Sequence, residues 1–246
     1  LAVVIHAFYR DVFTEILQKI DFSIPGIGLF ITTTEELYEE ITGITGELQV
    51  PCRVMTVKNH GRDILPFFTI LPDVLKEGYD IVLKLHTKKS NHLNRKELWL
   101  HDLTERLIGQ GAMSRAITIF KHHPEIGMIG PAGHILPMHL YYGANGRVLA
   151  AIAEKMNIRE SQLHGLCFAA GSMFYTRMEV LKPLLGIGLT EAHFEFENQQ
   201  VDGTMAHVIE RAFVLGLKDT GTWLADTDYE DQHRILTINR NHYFTI

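Results

Sequence analysis

What most limits the folds open to this chain is the alternation of short, β-branched apolar runs with segments of helical period. Ala2 to Ala7 is strand-like, and from about Asp11 to Lys19 the residues Val12, Phe13, Ile16 and Leu17 fall on one helical face. Ile27 to Thr32 and Cys52 to Val57 read as second and third strands, with a hydroxyl-then-carboxylate helix start at Thr32 to Glu36 between them. The loop Asn59 to Asp63 opens a helix over Ile64 to Lys76, and Asp80 to His86 is a fourth strand. A helical region from about Arg95 to His122, broken by Gly109 and Gly111, leads to a short strand between Pro124 and Pro131. Beyond it the pattern predicts a helix near Val148 to Met156, a strand near Leu166 to Thr176, a helix over Asp202 to Leu215 and a last strand near Gly221 to Ala225. This order predicts an α/β fold, a mostly parallel sheet flanked by helices on both faces. With no repeat or linker, residues 1–246 read as a single domain. The tail 226–246, rich in Asp, Arg and Asn, reads as a lid or a linker.

Composition removes several functional classes. The formal charge of −6, from 23 Lys and Arg against 29 Asp and Glu, and the lack of a basic stripe argue against a general nucleic-acid binder. Two cysteines, Cys52 and Cys167, make no disulfide framework and suit a reducing, cytoplasmic compartment. No apolar run reaches the roughly 20 residues of a membrane span. The start, Leu1 to Ile5, is strand-like rather than a signal peptide, and without an initiating Met the chain reads as a module of a longer protein.

Chemistry concentrates where the fourth strand ends. Lys84, His86, Thr87, Lys88, Lys89 and Ser90 follow directly on the run Ile81 to Leu85. In α/β sheets ligands sit at the carboxyl ends of the strands. Lysines, a histidine and hydroxyls there suit a phosphate or diphosphate, the alternative being a solvated basic turn.

Five segments in order carry a family likeness: Asn59 to Phe67, Lys84 to Ser90, Ile126 to Pro131, Phe168 to Phe174 and Phe196 to Arg211. Together they resemble the rhamnan synthesis F family, bacterial proteins of cell-surface polysaccharide assembly, over about Val3 to Ala225. The resemblance implies a GT-A-like, Rossmann-type glycosyltransferase. It would use a nucleotide-sugar donor of the dTDP-rhamnose kind and a glycan or lipid-linked acceptor. It also implies work beside other polysaccharide-assembly domains or proteins, at the inner face of the bacterial membrane.

The segment order is also similar to inverting GT-A transferases, and that likeness implies roles. His6, Phe8, Tyr9 and Arg10, at the end of the first strand, would meet the nucleobase, with Thr32 and Thr33 near base or ribose. Where such enzymes carry Asp-x-Asp for a divalent metal, this chain has Lys84-Leu-His-Thr-Lys88. Cations can stabilise a leaving diphosphate in a metal's place, so a metal is not favoured, although His86 with a distant carboxylate remains an alternative ligand. Around Asn59, Gly61 allows close backbone approach, Arg62 offers a fork to phosphate, and Asp63 could bond sugar hydroxyls or simply cap the following helix. An inverting transfer needs a carboxylate base. Asp202 and Glu197 are the candidates, with Glu195 behind them; Asp202 could instead be a helix cap and Glu210 serve local bonds. His207 and Arg211 would be further diphosphate contacts, or Arg211 part of a buried ion pair. Gly171, in Ala169 to Met173, would let a sugar pass close to backbone, and Trp99 and Trp223 could form a sugar platform or be core. The histidines His122, His123, His134 and His139 show no metal spacing. A non-catalytic nucleotide-sugar or glycan-binding module tethered to a separate transferase is the other reading.

Overall fold

The computed structural model describes residues 1–88, 96–198 and 200–230. In chain order the elements begin β1 (Ala2–Ala7), α1 (Arg10–Lys19), β2 (Gly28–Thr33), α2 (Tyr38–Thr45), β3 (Cys52–Thr56), α3 (Ile64–Lys76) and β4 (Ile81–His86). Next come α4 (Lys96–Ile108), α5 (Ala112–His122), β5 (Ile126–Gly130), β6 (Ile135–Pro137), α6 (Gly146–Lys155) and β7 (Cys167–Ala169). The last are β8 (Phe174–Arg177), α7 (Met178–Gly186), α8 (Met205–Ala212), α9 (Gly216–Thr220) and β9 (Trp223–Asp226).

Seven strands form one sheet in the order β3-β2-β1-β4-β8-β5-β9, and β6 pairs with β7 in a separate ribbon. Within the large sheet only β8 runs against its neighbours β4 and β5; the other pairings are parallel. The carboxyl ends of β1, β2, β4, β5 and β9 therefore share one edge, and β8 begins there. Side chains alternate between two cores, as the pleat requires. Val3, Ile5 and Ala7 of β1, with Leu83 and Leu85 of β4, face α1, α4 and α5. Ala2, Val4 and Val82 face the opposite layer of α3, α6, α7 and α8. The mostly parallel sheet with helices on both faces is the architecture the alternation predicts.

Two expected elements differ in detail. The single strand over Leu166 to Thr176 is two strands, β7 and β8, parted by a turn in which Gly171 (φ 90°) and Ser172 (φ 57°) are both left-handed. The helix expected from Asp202 starts at Met205, with Thr204 as its N-cap. The helical region predicted to break at Gly109 and Gly111 is α4 and α5, with left-handed Gly111 (φ 73°) turning the chain ahead of α5. No helix among the described residues is long and apolar enough to cross a membrane.

Candidate active site at the strand ends

Register builds the centre of the site. His6 of β1 lies opposite Thr32 of β2 on one side and His86 of β4 on the other, all at the carboxyl edge. His6 Nδ1 is 3.1 Å from Thr32 Oγ1. His86 uses both ring nitrogens. Nε2 donates to the Gly171 carbonyl (2.8 Å), and Nδ1 accepts the Lys88 backbone N–H (3.1 Å). That bonding fits only the neutral ring. Burial accordingly lowers both His6 and His86 to about 4, against the opposing pull of Asp63. Thr87 Oγ1 accepts the N–H groups of Phe8 and Tyr9, each at 2.8 Å, and so ties the loop after β1 to the end of β4.

One residue inward, Lys84 is 1% exposed and all three of its ammonium protons are engaged. It donates to Asp63 Oδ2 at 2.6 Å, to the Ser172 carbonyl at 2.8 Å and to Ser172 Oγ at 2.9 Å. The rings of Phe67 and Phe213 lie 5.4 and 5.7 Å from its nitrogen. Burial works against both charges, but the ammonium outweighs it at Asp63, whose carboxyl is held ionised well below the usual range. Lys84 is therefore a charged, fully bonded node inside the protein, and Asp63 is its partner rather than a helix cap.

The outer wall is cationic. Arg62, itself left-handed (φ 58°) behind left-handed Gly61 (φ 66°), sends its guanidinium across the cleft. Nε and Nη2 reach Glu197 Oε2 and Oε1 at 3.2 and 3.5 Å, and Nη2 also bonds the Gln200 carbonyl. Nη1 donates to His207 Nε2 at 2.7 Å. Nδ1 of His207 lies 3.3 Å from the Thr204 backbone N–H nitrogen, which donates to it, and 2.8 Å from Thr204 Oγ1, so that Thr204 and Arg62 hold the ring from both sides. Burial, aided by the Arg62 charge, lowers His207 to about 4. Half-buried Lys88 faces Asp63, Arg62, Glu197 and Glu210, and burial lowers its ammonium from the ordinary lysine value. On the far side Glu210 Oε1 accepts the Gly171 N–H at 2.7 Å, and burial raises its carboxyl above the ordinary glutamate value.

The fold thus brings His6, Thr32, Gly61, Arg62, Asp63, Lys84, His86, Thr87, Lys88, Gly171, Glu197 and His207 to one edge, with half-buried Phe8 and Tyr9 beside them and Asn59 exposed on the loop. Among the described residues, Lys84 and His86 arrive there as a sealed ion pair and a neutral ring, which leaves Arg62 and Lys88 as the cations nearest the surface at this edge. Arg211 turns away. It bonds the carbonyls of Tyr141 and His207, each at 2.7 Å, and lies 5.2 Å from the Phe168 ring. Asp202 does not begin a helix; it accepts from Asn145 Nδ2 (2.6 Å) and Ala144 N–H (2.9 Å) and braces the loop before α6. Burial disfavours its charge, yet those bonds prevail and hold the carboxyl below its usual range. Glu195 receives the N–H of Met205 at the start of α8.

Trp99 packs under Gly171, where an added Cβ would lie 2.8 Å from the indole. Trp223 opens β9 at the opposite edge of the sheet, so the two tryptophans share no platform. Ser90 and Lys89 lie outside the described residues, as does the tail from 231 onward. Sequence reasoning overlooked Ser172 and gave Glu210 only local bonds; both sat inside motifs already picked out, at Phe168 to Phe174 and Phe196 to Arg211. Among the described residues no group of three or more His, Cys, Asp or Glu side chains has metal-holding geometry.

Comparison with known proteins adds kinship. The family described as rhamnan synthesis protein F matches residues 1–221. The uncharacterized protein WxcX, from two strains of Xanthomonas campestris pv. campestris, is 34% identical over 238 residues, covering 97% of this chain and 32% of WxcX. The chain thus spans about a third of the length of the curated relatives it matches. Among solved structures, 4-diphosphocytidyl-2C-methyl-D-erythritol synthase aligns with 99% of this chain and 97% of its own, at 12% identity and a TM-score of 0.44. TarS 1-349 of S. aureus aligns with 87% of this chain and 55% of its own, at 11% identity and a TM-score of 0.42.

Proposed function

The chain belongs to the rhamnan synthesis protein F family, and from that premise we propose that it is a glycosyltransferase domain working on a nucleotide-sugar donor. The donor sugar is a deoxysugar, rhamnose carried by dTDP first among the candidates. The acceptor is a cell-surface glycan or its lipid-linked precursor, and the transfer inverts the anomeric centre in one displacement.

The observation that supports this reading most directly is Arg62. Its Nε and Nη2 address the two oxygens of Glu197 side by side, the geometry in which a guanidinium grips a phosphate. A diphosphate offers the same pair of anionic oxygens as that carboxylate with more charge, and Lys88 stands close enough to share in holding it. On this reading the nucleoside lies along His6, Phe8, Tyr9 and Thr32, and the diphosphate exchanges places with Glu197. Fixed cations then stabilise the leaving group as its charge develops. The sealed Lys84–Asp63 pair serves as the floor of the site.

Titration calorimetry of the purified chain with dTDP-rhamnose, UDP-glucose and GDP-mannose, each with Mn²⁺ or with EDTA, tests the proposal. Selective binding of the first, unchanged by EDTA, is the expected result. Binding that EDTA abolishes would keep the transferase and replace the fixed cations with a metal. No binding to any donor would favour a glycan-binding module instead.

A further inference from the structure

Of the five carboxylates at or beside the site, three are bonded elsewhere: Asp63 is sealed against Lys84, Asp202 is held by Asn145 and Ala144, and Glu195 receives the Met205 N–H. Glu197 is gripped by Arg62 at the place that the diphosphate takes on the reading above. Glu210 differs. Its Oε1 is anchored on the Gly171 N–H at 2.7 Å, while the nearest charged group to Oε2 is Arg211 Nη1 at 3.8 Å, beyond hydrogen-bond range. The side chain keeps 19% of its surface exposed, and only one of its oxygens has a hydrogen bond from the backbone. Gly171 connects it to the centre, because the residue that donates its N–H to Glu210 offers its carbonyl to His86 Nε2.

We infer that Glu210 is the general base of the transfer, with Oε2 the atom that takes the acceptor's proton. This assignment rests on the glycosyltransferase reading above. The acceptor hydroxyl oxygen forms a bond to the anomeric carbon as the bond from that carbon to the donor's β-phosphate oxygen breaks. The electron pair of the broken bond leaves with the nucleoside diphosphate, and the hydroxyl proton passes to Glu210. The charged groups that face this carboxylate are Arg211 on its own helix and Asp63 and Lys88 across the cleft, with Lys84 beneath. Burial, the largest influence among them, raises its proton affinity, and a base so placed is stronger than an exposed glutamate.

The test is dTDP release from dTDP-rhamnose, with octyl α-L-rhamnoside or water as the acceptor probe, measured beside donor titration. Glu210→Gln keeps an oxygen for the Gly171 N–H; it should lower turnover about 100-fold or more while donor affinity stays within about threefold. Its residual rate should lack the acid limb that the wild-type pH profile shows. Glu210→Ala should regain turnover with added formate, a rescue that a purely structural role would not allow. Turnover in Glu210→Gln above about a tenth of wild type overturns the assignment. So does a loss of donor binding that runs parallel to the loss of rate. A wild-type chain that binds no sugar nucleotide overturns the transferase reading and this assignment with it.

Discussion

Lys84→Met isolates the buried node. Methionine keeps the length of the lysine stem between Phe67 and Phe213, so the change removes charge and hydrogen bonds while leaving little empty volume. What remains is Asp63, 6% exposed and without its partner, and Ser172 without the donor that joined its carbonyl and hydroxyl. Breaking a buried pair from one side costs about 3–5 kcal/mol, since an uncompensated charge stays behind. For a chain of this size each kcal/mol moves the melting temperature about 2–4 °C, so Tm should fall by about 10 °C. Urea denaturation followed by circular dichroism gives the free energy directly. The double variant Lys84→Met/Asp63→Leu removes both charges and should recover most of the loss, to within about 1–2 kcal/mol of wild type. A single variant costing under about 1 kcal/mol, or a double variant as unstable as the two singles added together, would refute the view of a sealed ion pair.

Acidity should weaken the fold in a defined window. His6 and His86 are held near 4 in the folded chain against an ordinary value of 6.5, so between those limits the unfolded chain binds more protons. Their contribution is complete above about pH 6.5 and is lost as pH falls toward 4, on the order of 1–3 kcal/mol each. Glu210, raised by burial, opposes this in part, while His207, lowered like the other two, adds to it. Asp63 contributes its loss only below its ordinary value of 3.8, outside the window. A urea midpoint that stays level from pH 7 to 4.5 would contradict the neutral histidines. Gly171→Ala should lower stability by about 1–3 kcal/mol, because φ is +90° and the new Cβ would lie 2.8 Å from Trp99 and 2.9 Å from Leu103. An unchanged Tm would show that the turn yields more easily than this packing implies.

The parts of the fold that were legible from sequence are those where local pattern and burial agree. β1 and β4 are almost entirely buried, and apart from His6 in the first and Lys84 and His86 in the second they are apolar, so the run itself marks them. The Gly109 and Gly111 break between α4 and α5 announced itself in the same way. β6 is only three residues long, and α7 carries Pro183 inside it, so neither leaves a clean periodic trace. The β7–β8 division depends on Ser172 taking a left-handed conformation, which serine does not advertise. Asp202 and Thr204 are both good N-cap residues two positions apart, and tertiary contacts with Asn145 and Ala144 decided between them.

The site was half legible for the same reason. That cations gather after β4 can be read from residue types, but which of them remain available cannot. Asp63 and Lys84 are 21 positions apart and Lys84 and Ser172 are 88 apart, so only strand register and two turns bring them together. The free cation count at the cleft is thus a tertiary property.

Two of the three non-glycine residues with positive φ among the described residues, Arg62 and Ser172, flank the Lys84 node, each next to a left-handed glycine. Such conformations cost about 1–3 kcal/mol apiece and persist because the surroundings fix them. The entropy of ordering these corners is thus charged to folding and not to ligand capture. On the proposed reading, an arriving diphosphate would meet a guanidinium already aimed, and what it would still have to organise is the segment around Glu197 and Gln200 that Arg62 presently holds. Selectivity would then be decided at the rim, since the centre is preorganised.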